Sequence, residues 1–189
     1  LTSYSFSQNY KKIIKSLSFK DKVWVMKNYS YVKKAQKISQ RVINTMDSLN
    51  KEKFLGGNSE GGRFDAFRHV FWMYSLSKDL GKEKARRIGK IYERYNEYIF
   101  KTQTMSGYDK AGEDMDLFNN EVGINLSKEN IVDSLVFNRI EGLILNGEVK
   151  IIKKNDKQES LDKDNNIIQD SVWKKSWQND RVLINSNNK

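Results

Sequence analysis

Asp65, Arg68 and His69 are the residues of this sequence best placed to do chemistry. They stand in the run Arg63-Phe64-Asp65-Ala66-Phe67-Arg68-His69-Val70-Phe71-Trp72. Asp65 and His69 are four apart, and Asp65 and Arg68 three apart, so on a helix all three side chains can touch. Phe64, Phe67, Phe71 and Tyr74 form one apolar stripe at helical spacing, and Ala66, Val70 and Met73 form a second. A helix that is apolar around most of its circumference is buried around most of it. Charged groups there cost roughly several kcal/mol unless they are paired and hydrogen-bonded. The run therefore marks a buried polar site.

Two other stretches carry groups that can complete it. Glu93 follows directly on the apolar stripe Ala85, Ile88, Tyr92, Tyr95 and Ile99. Asp114-Met115-Asp116-Leu117-Phe118-Asn119-Asn120-Glu121-Val122-Gly123 interleaves acids and amides with apolar residues, the pattern of a short helix whose polar side lines a pocket. If these elements converge, His69 serves as general base or acid, with Asp65 or Asp116 fixing its tautomer. Glu93 joins them as a further catalytic carboxylate. Arg68 and the amides of Asn119 and Asn120 supply donors to a substrate oxyanion or phosphate. No Ser or Thr is placed by motif as a nucleophile, so an activated water is expected, acting on an ester, phosphodiester or glycosidic bond. The competing reading is a satisfied polar network that specifies helix packing and catalyses nothing.

The elements that position these residues read as helices. Tyr10-Lys11-Lys12-Ile13-Ile14 makes one or two turns. Ser18-Phe19-Lys20-Asp21 has the form of a capping box opening a helix through Met26. Val32, Ala35, Ile38, Val42, Met46 and Leu49 give one core face to a helix over about residues 30–49. The central helix runs over 61–80, fed by the loop Gly56-Gly57-Asn58-Ser59-Glu60-Gly61-Gly62 and closed by Gly81. That loop lacks the GxxxxGK[ST] phosphate-binding pattern. A further helix covers 82–100, a loop 101–113, and a helix capped by Ser127 turns Ile131, Leu135 and Ile140 inward and ends near Gly147. Residues 148–152 suit a short strand, and Trp173 and Trp177 anchor a final turn.

The fold class is therefore mainly α: a single compact multi-helix domain with an irregular, partly extended C-terminal segment. Within 1–189, residues 1–55 form a basic helical part, 56–146 the helical core with the motif stretches, and 147–189 a C-terminal appendage. At 189 residues and 38% hydrophobic content the chain can bury a sizeable core. The absence of Cys excludes disulfides and thiolate chemistry. No run approaches the roughly 20 apolar residues of a membrane span. The chain begins at Leu1, as in a mature form or a domain excised from a longer protein.

The net charge is +10, of which +9 falls in residues 1–55. An anionic partner (nucleic acid, acidic lipid or acidic protein) would dock on that third, with Lys33, Lys34 and Lys37 on the outer side of its helix. The competing source is compositional: Lys (26) far exceeds Arg (8) throughout.

Asp65-Ala66-Phe67-Arg68-His69-x-x-Trp72, a helix, then Met115-Asp116-Leu117-x-Asn119-Asn120-x-x-Gly123 resembles a bacterial helical domain of unknown function. Its members show D-A-F-R-H-x-x-W, a helix ending in A-H-E, and M-D-x-H-N-N-x-x-G. The resemblance covers about residues 60–126 and implies a place among bacterial secreted proteins and the C-terminal ends of large toxin-like proteins. The chain departs from the pattern with Tyr92-Glu93 in place of His-Glu and Phe118 in place of the later His. His69 remains its sole His, which argues against a His-rich transition-metal site, and no cofactor or metal is assigned. An oxygen-ligated ion at Asp65, Glu93, Asp116 or Asn119 stays open. Two functions follow. One is a secreted or toxin-associated hydrolase built on the cluster. The other is a non-enzymatic binding module with a structural polar core and the basic N-terminal face.

Overall fold

In the computed structural model, which describes residues 10–57, 60–102 and 106–188, one helix is enclosed by the others. That helix, α4 (Arg63–Leu80), buries twelve of its eighteen residues, as two apolar stripes on one element require. It packs against α3 (Tyr29–Lys51), α5 (Lys82–Thr102), α6 (Lys110–Leu126) and α7 (Val136–Leu145), with α6 its most extensive neighbour. Phe67 lies between Phe54 and Phe137 at 5.1 and 5.5 Å, both edge-on, the arrangement favoured by ring quadrupoles. Trp72 turns the other way and donates Nε1–H to Ser39 Oγ of α3 at 2.9 Å. Its role is packing.

The N-terminal third forms α1 (Tyr10–Ser16), α2 (Phe19–Lys27) and α3. Ser18 caps α2, its Oγ accepting from Asp21 N at 3.2 Å and donating to Asp21 Oδ2 at 2.8 Å. Asp21 also does what its local motif does not announce. It is buried, and its carboxylate takes Arg87 at 2.6 Å and Arg94 at 2.8 Å, both from α5. Two guanidiniums on one buried carboxylate thus fasten α2 to α5.

The second half corrects two expectations. The loop expected over 101–113 ends sooner, because Asp109 caps α6 by accepting from Gly112 N at 2.8 Å. The polar stretch 114–123 is therefore part of a seventeen-residue helix. Ser127 closes that helix instead of opening the next, its Oγ donating to Ile124 O at 2.7 Å. A 3₁₀ turn over Asp133–Leu135, which leaves Leu135 exposed, then leads into α7, which buries Ile140.

Beyond α7 the chain extends. β1 (Lys150–Ile152) pairs antiparallel with β2 (Leu183–Asn185), with Ile151 opposite Ile184, and β1 lies on α6. Between the strands, α8 (Asp170–Trp173) buries Trp173. The appendage is tied back by Arg181, whose Nη1 bonds Asp109 Oδ2 at 2.9 Å with both side chains buried. Arg181 also stacks on Trp173 at 3.9 Å. Trp177 packs against Phe100 of α5 at 5.2 Å. The fold is mainly α, as expected, with a partly extended C-terminal segment. Residues 1–9 of the N-terminal segment, Asn58 and Ser59 of the Gly-rich run, and residues 103–105 lie outside the described residues.

Candidate functional site

Residues 69 and 116 share no local sequence signal, yet α4 and α6 bring their side chains together. His69 Nε2 lies 3.2 Å from Asp116 Oδ1 and 3.6 Å from Asp65 Oδ1. The other ring nitrogen, Nδ1, meets Asn120 Oδ1 at 3.2 Å. An amide oxygen only accepts, so Nδ1 carries the proton and the Nε2 lone pair faces the two carboxylates. His69 is 3% exposed. Burial, followed by the adjacent Arg68 charge, holds its pKa down at about 4, so the ring is neutral at pH 7.

Asp65 is held from three sides. Its Oδ2 accepts from Gly61 N at 2.7 Å, and its Oδ1 pairs with Arg68 Nη2, one helical turn away. Burial alone would raise this carboxyl, but Arg68, His69 and the Gly61 N–H outweigh it and the pKa falls below the ordinary range. Gly61 has φ +73°, and a Cβ there would lie 2.5 Å from Ile152 Cγ1. Its carbonyl also receives Ile152 N–H at 2.8 Å. Glycine at this position lets the chain turn between β1 and the head of α4.

The other two acids behave oppositely. Burial pushes the Asp116 carboxyl well above its ordinary value, with the charges of Glu93 and Asp65 adding to the shift. Glu93, 2% exposed on α5, rises to about 8, chiefly from burial, although Asn96 Nδ2 donates to its Oε2 at 3.0 Å. Among the described residues, Glu93 Oε1, Asp116 Oδ1 and Asn120 Nδ2 have no hydrogen-bond partner. Carboxylates in one neighbourhood are thus driven apart, Asp65 downward and Asp116 upward, the arrangement that separates acid from base roles. The cluster is not sealed: the Arg68 side chain is 35% exposed and that of Asp116 15%.

Of the seven expected site residues, Asp65, Arg68, His69, Asp116 and Asn120 are in contact. Glu93 stands behind them, coupled electrostatically to Asp116 and Asp65. Asn119 is turned elsewhere. Its amide donates to Lys150 O and accepts from Lys150 N, both at 2.9 Å, which fastens α6 to β1. Consecutive residues on a helix point about 100° apart, so Asn119 and Asn120 cannot both face α4. Tyr92, where the resemblance places a His, lies within electrostatic range of Arg68 and Asp116. Phe118, the other departure, is exposed beneath Lys150 Nζ at 5.5 Å. Two neighbours of the cluster carry no motif. Asn96 supports Glu93 from three residues away, a spacing that would have signalled it, and Tyr108 couples to Arg68 from the loop before α6.

One imidazole nitrogen and one oxygen from each of Asp65 and Asp116 lie within 4.8 Å of one another, close enough to share a cation. Fold and site together define a mainly helical domain with a buried His–carboxylate cluster where its two most closely packed helices meet. Over residues 22–148 the chain matches the family described as Domain of unknown function (DUF6973), and it belongs to that family. The match takes in α3 to α7, and so every residue of the cluster. No curated protein and no solved structure matches the chain.

Proposed function

We propose that this protein is a hydrolase in which the cluster around His69 activates a water. The observation that carries the reading is the unprotonated Nε2 of a buried, neutral imidazole, aimed at Asp116 and Asp65 with its other nitrogen committed to Asn120. A neutral His takes a proton from water, and a buried carboxyl beside it, its pKa raised by burial, suits the return of one to a leaving group. Arg68 at the open side suits an anionic oxygen of the substrate, through donors that Asp65 leaves unused. Ester, phosphodiester and glycosidic bonds all meet these requirements. The resemblance carried by Asp65-Ala66-Phe67-Arg68-His69 and Met115-Asp116 supports a bacterial, secreted or toxin-associated setting. Among the described residues no helix is long and apolar enough to cross a membrane.

The experiment is a turnover screen of the purified chain on chromogenic esters, phosphodiesters and glycosides, with His69→Gln and Asp116→Asn in parallel. Turnover lost in both variants supports the reading. No turnover on any class, or turnover undiminished in His69→Gln, overturns it.

A second reading has its own observation. Lys33, Lys34 and Lys37 are all exposed on α3, and Phe19, 84% exposed on α2, is joined by exposed Met26 and Tyr29. Exposed cationic and apolar groups on two helices in contact suit a binding module that docks on an anionic partner.

A further inference from the structure

From the convergence of His69 Nε2, Asp65 Oδ1 and Asp116 Oδ1 we infer that this protein binds a divalent cation of the oxygen-preferring kind, Mn²⁺ or Mg²⁺. The inference deepens the hydrolase reading and changes the part His69 plays in it: with the Nε2 lone pair on the ion, the ion and not the imidazole makes the bound water acidic.

Three independent features point to it. The first is direction: with Nδ1–H given to Asn120, Nε2 presents a lone pair, the form in which imidazole ligates. The second is spacing. Ligands at about 2.1–2.4 Å from an ion and at right angles around it lie about 3–3.4 Å apart. His69 Nε2 stands 3.2 Å from Asp116 Oδ1 and 3.6 Å from Asp65 Oδ1. The third is the unused acceptor. Asp116 Oδ1 approaches Nε2 yet makes no hydrogen bond among the described residues, and Glu93 Oε1 behind it is also without one. A cation held between Nε2 and Asp116 Oδ1 gives that oxygen the partner it lacks.

Charge and donor type select the ion. Asp65, Asp116 and Glu93 form an electrostatically coupled group of three carboxyls, and Arg68 supplies one positive charge among them. A divalent ion adds the positive charge that lets all three carboxyls ionise beside Arg68. Two carboxylate oxygens and one imidazole suit Mn²⁺ or Mg²⁺ with water completing the shell, whereas zinc and copper favour sites richer in His or Cys. Arg68 is the competitor, with Nη2 on Asp65 Oδ1 and 3.4 Å from His69 Nε2. Its side chain is 35% exposed, so water can take over its hydrogen bonds when an ion displaces it.

The test is titration of metal-free full chain with Mn²⁺, followed by calorimetry and by loss of the free-ion paramagnetic signal, then repeated with Mg²⁺ and Zn²⁺. One Mn²⁺ per chain is expected, displaced by Mg²⁺, absent in Asp116→Asn, and tightened about tenfold in Arg68→Gln by loss of the competing charge. Thermal melts of each variant separate lost binding from lost fold. No Mn²⁺ or Mg²⁺ binding at millimolar concentration overturns the inference, as does binding that survives in a folded Asp116→Asn. Zn²⁺ bound where Mn²⁺ is refused overturns the choice of ion. Binding without turnover sinks the hydrolase reading alone, and turnover that ignores chelation sinks the cation alone.

Discussion

Gly123 of α6 faces the carbonyl oxygen of Val70 on α4 so closely that a Cβ on it would lie 2.3 Å from that oxygen. The two helices meet backbone to backbone there. This approach brings Asp116 and Asn120, on the preceding turns of α6, within reach of His69, one residue before Val70 on α4. The conformation of Gly123 is ordinary and helical; the demand on it is space alone. Gly123→Ala is expected to cost about 1–3 kcal/mol or more by overpacking, because the obstructing atom belongs to the backbone. Chemical denaturation checks the cost. The His69 ring signals of the variant should shift at the same time, as Asn120 is drawn from Nδ1.

His69 is the sole His, so its ring resonances need no assignment. In metal-free protein the ring should stay neutral, with the proton on Nδ1, until the pH nears its folded value of about 4. The folded value lies below the ordinary 6.5, so between the two the unfolded chain binds more protons than the native one. Stability from this group is full above about 6.5 and is lost as pH falls towards 4. Nitrogen-15 spectra against pH read this directly, and a midpoint near 6.5 would mean that the ring is solvated instead.

Much of this arrangement is legible in the sequence, and the boundary is physical. The buried nature of α4 follows from Phe64, Phe67, Val70 and Met73, because two apolar stripes leave a helix no wet side. Asp65, Arg68 and His69 then need partners, and Asp116 and Asn120 are visible as candidates because they too sit among apolar neighbours. The partition between Asn119 and Asn120 is not legible. It depends on the rotation of α6 about its axis, which the contact of Gly123 with Val70 sets. Asp21 with Arg87 and Arg94, and Asp109 with Arg181, are equally hidden, since charges paired across 66 to 73 residues leave no local periodicity. Ser127 misleads for another reason: a hydroxyl that caps the next helix and one that closes the last look alike in sequence.

Glu93 makes the opposite pH demand. Its folded value, about 8, lies above the ordinary 4.5, so between the two the native state holds a proton that the unfolded chain has released. Stability from Glu93 is full below about 4.5 and declines as pH rises through 8. The His69 and Glu93 slopes oppose each other between 4.5 and 6.5, and from 6.5 to 8 only the decline remains. Glu93→Gln imitates the protonated acid and keeps an oxygen for Asn96. Its Tm should exceed that of the wild type at pH 8, with a smaller gap at pH 5. Equal melts at the two pH values would show that Glu93 is ionised at no cost, contrary to its burial.

The final prediction separates the basic face from the polar cluster. Lys33, Lys34 and Lys37 are exposed on α3, and among the described residues Lys34 alone of the three reaches an acid, 4.0 Å from Asp79 Oδ1. Exposed pairs of that kind contribute about 0–1 kcal/mol, so reversing all three to Glu should leave the melt nearly unchanged. The same change removes six units of charge from the third that carries +9. Binding to anionic vesicles or to nucleic acid should then be abolished, and binding by the wild type should weaken steeply with salt. His69→Ala should do the reverse. It strips Asn120 and the two carboxylates of a buried partner, lowering stability by about 1–3 kcal/mol. It should leave the basic face, and whatever that face binds, intact. Binding unchanged by the triple reversal would assign the Lys excess to composition and leave the cluster as the functional centre.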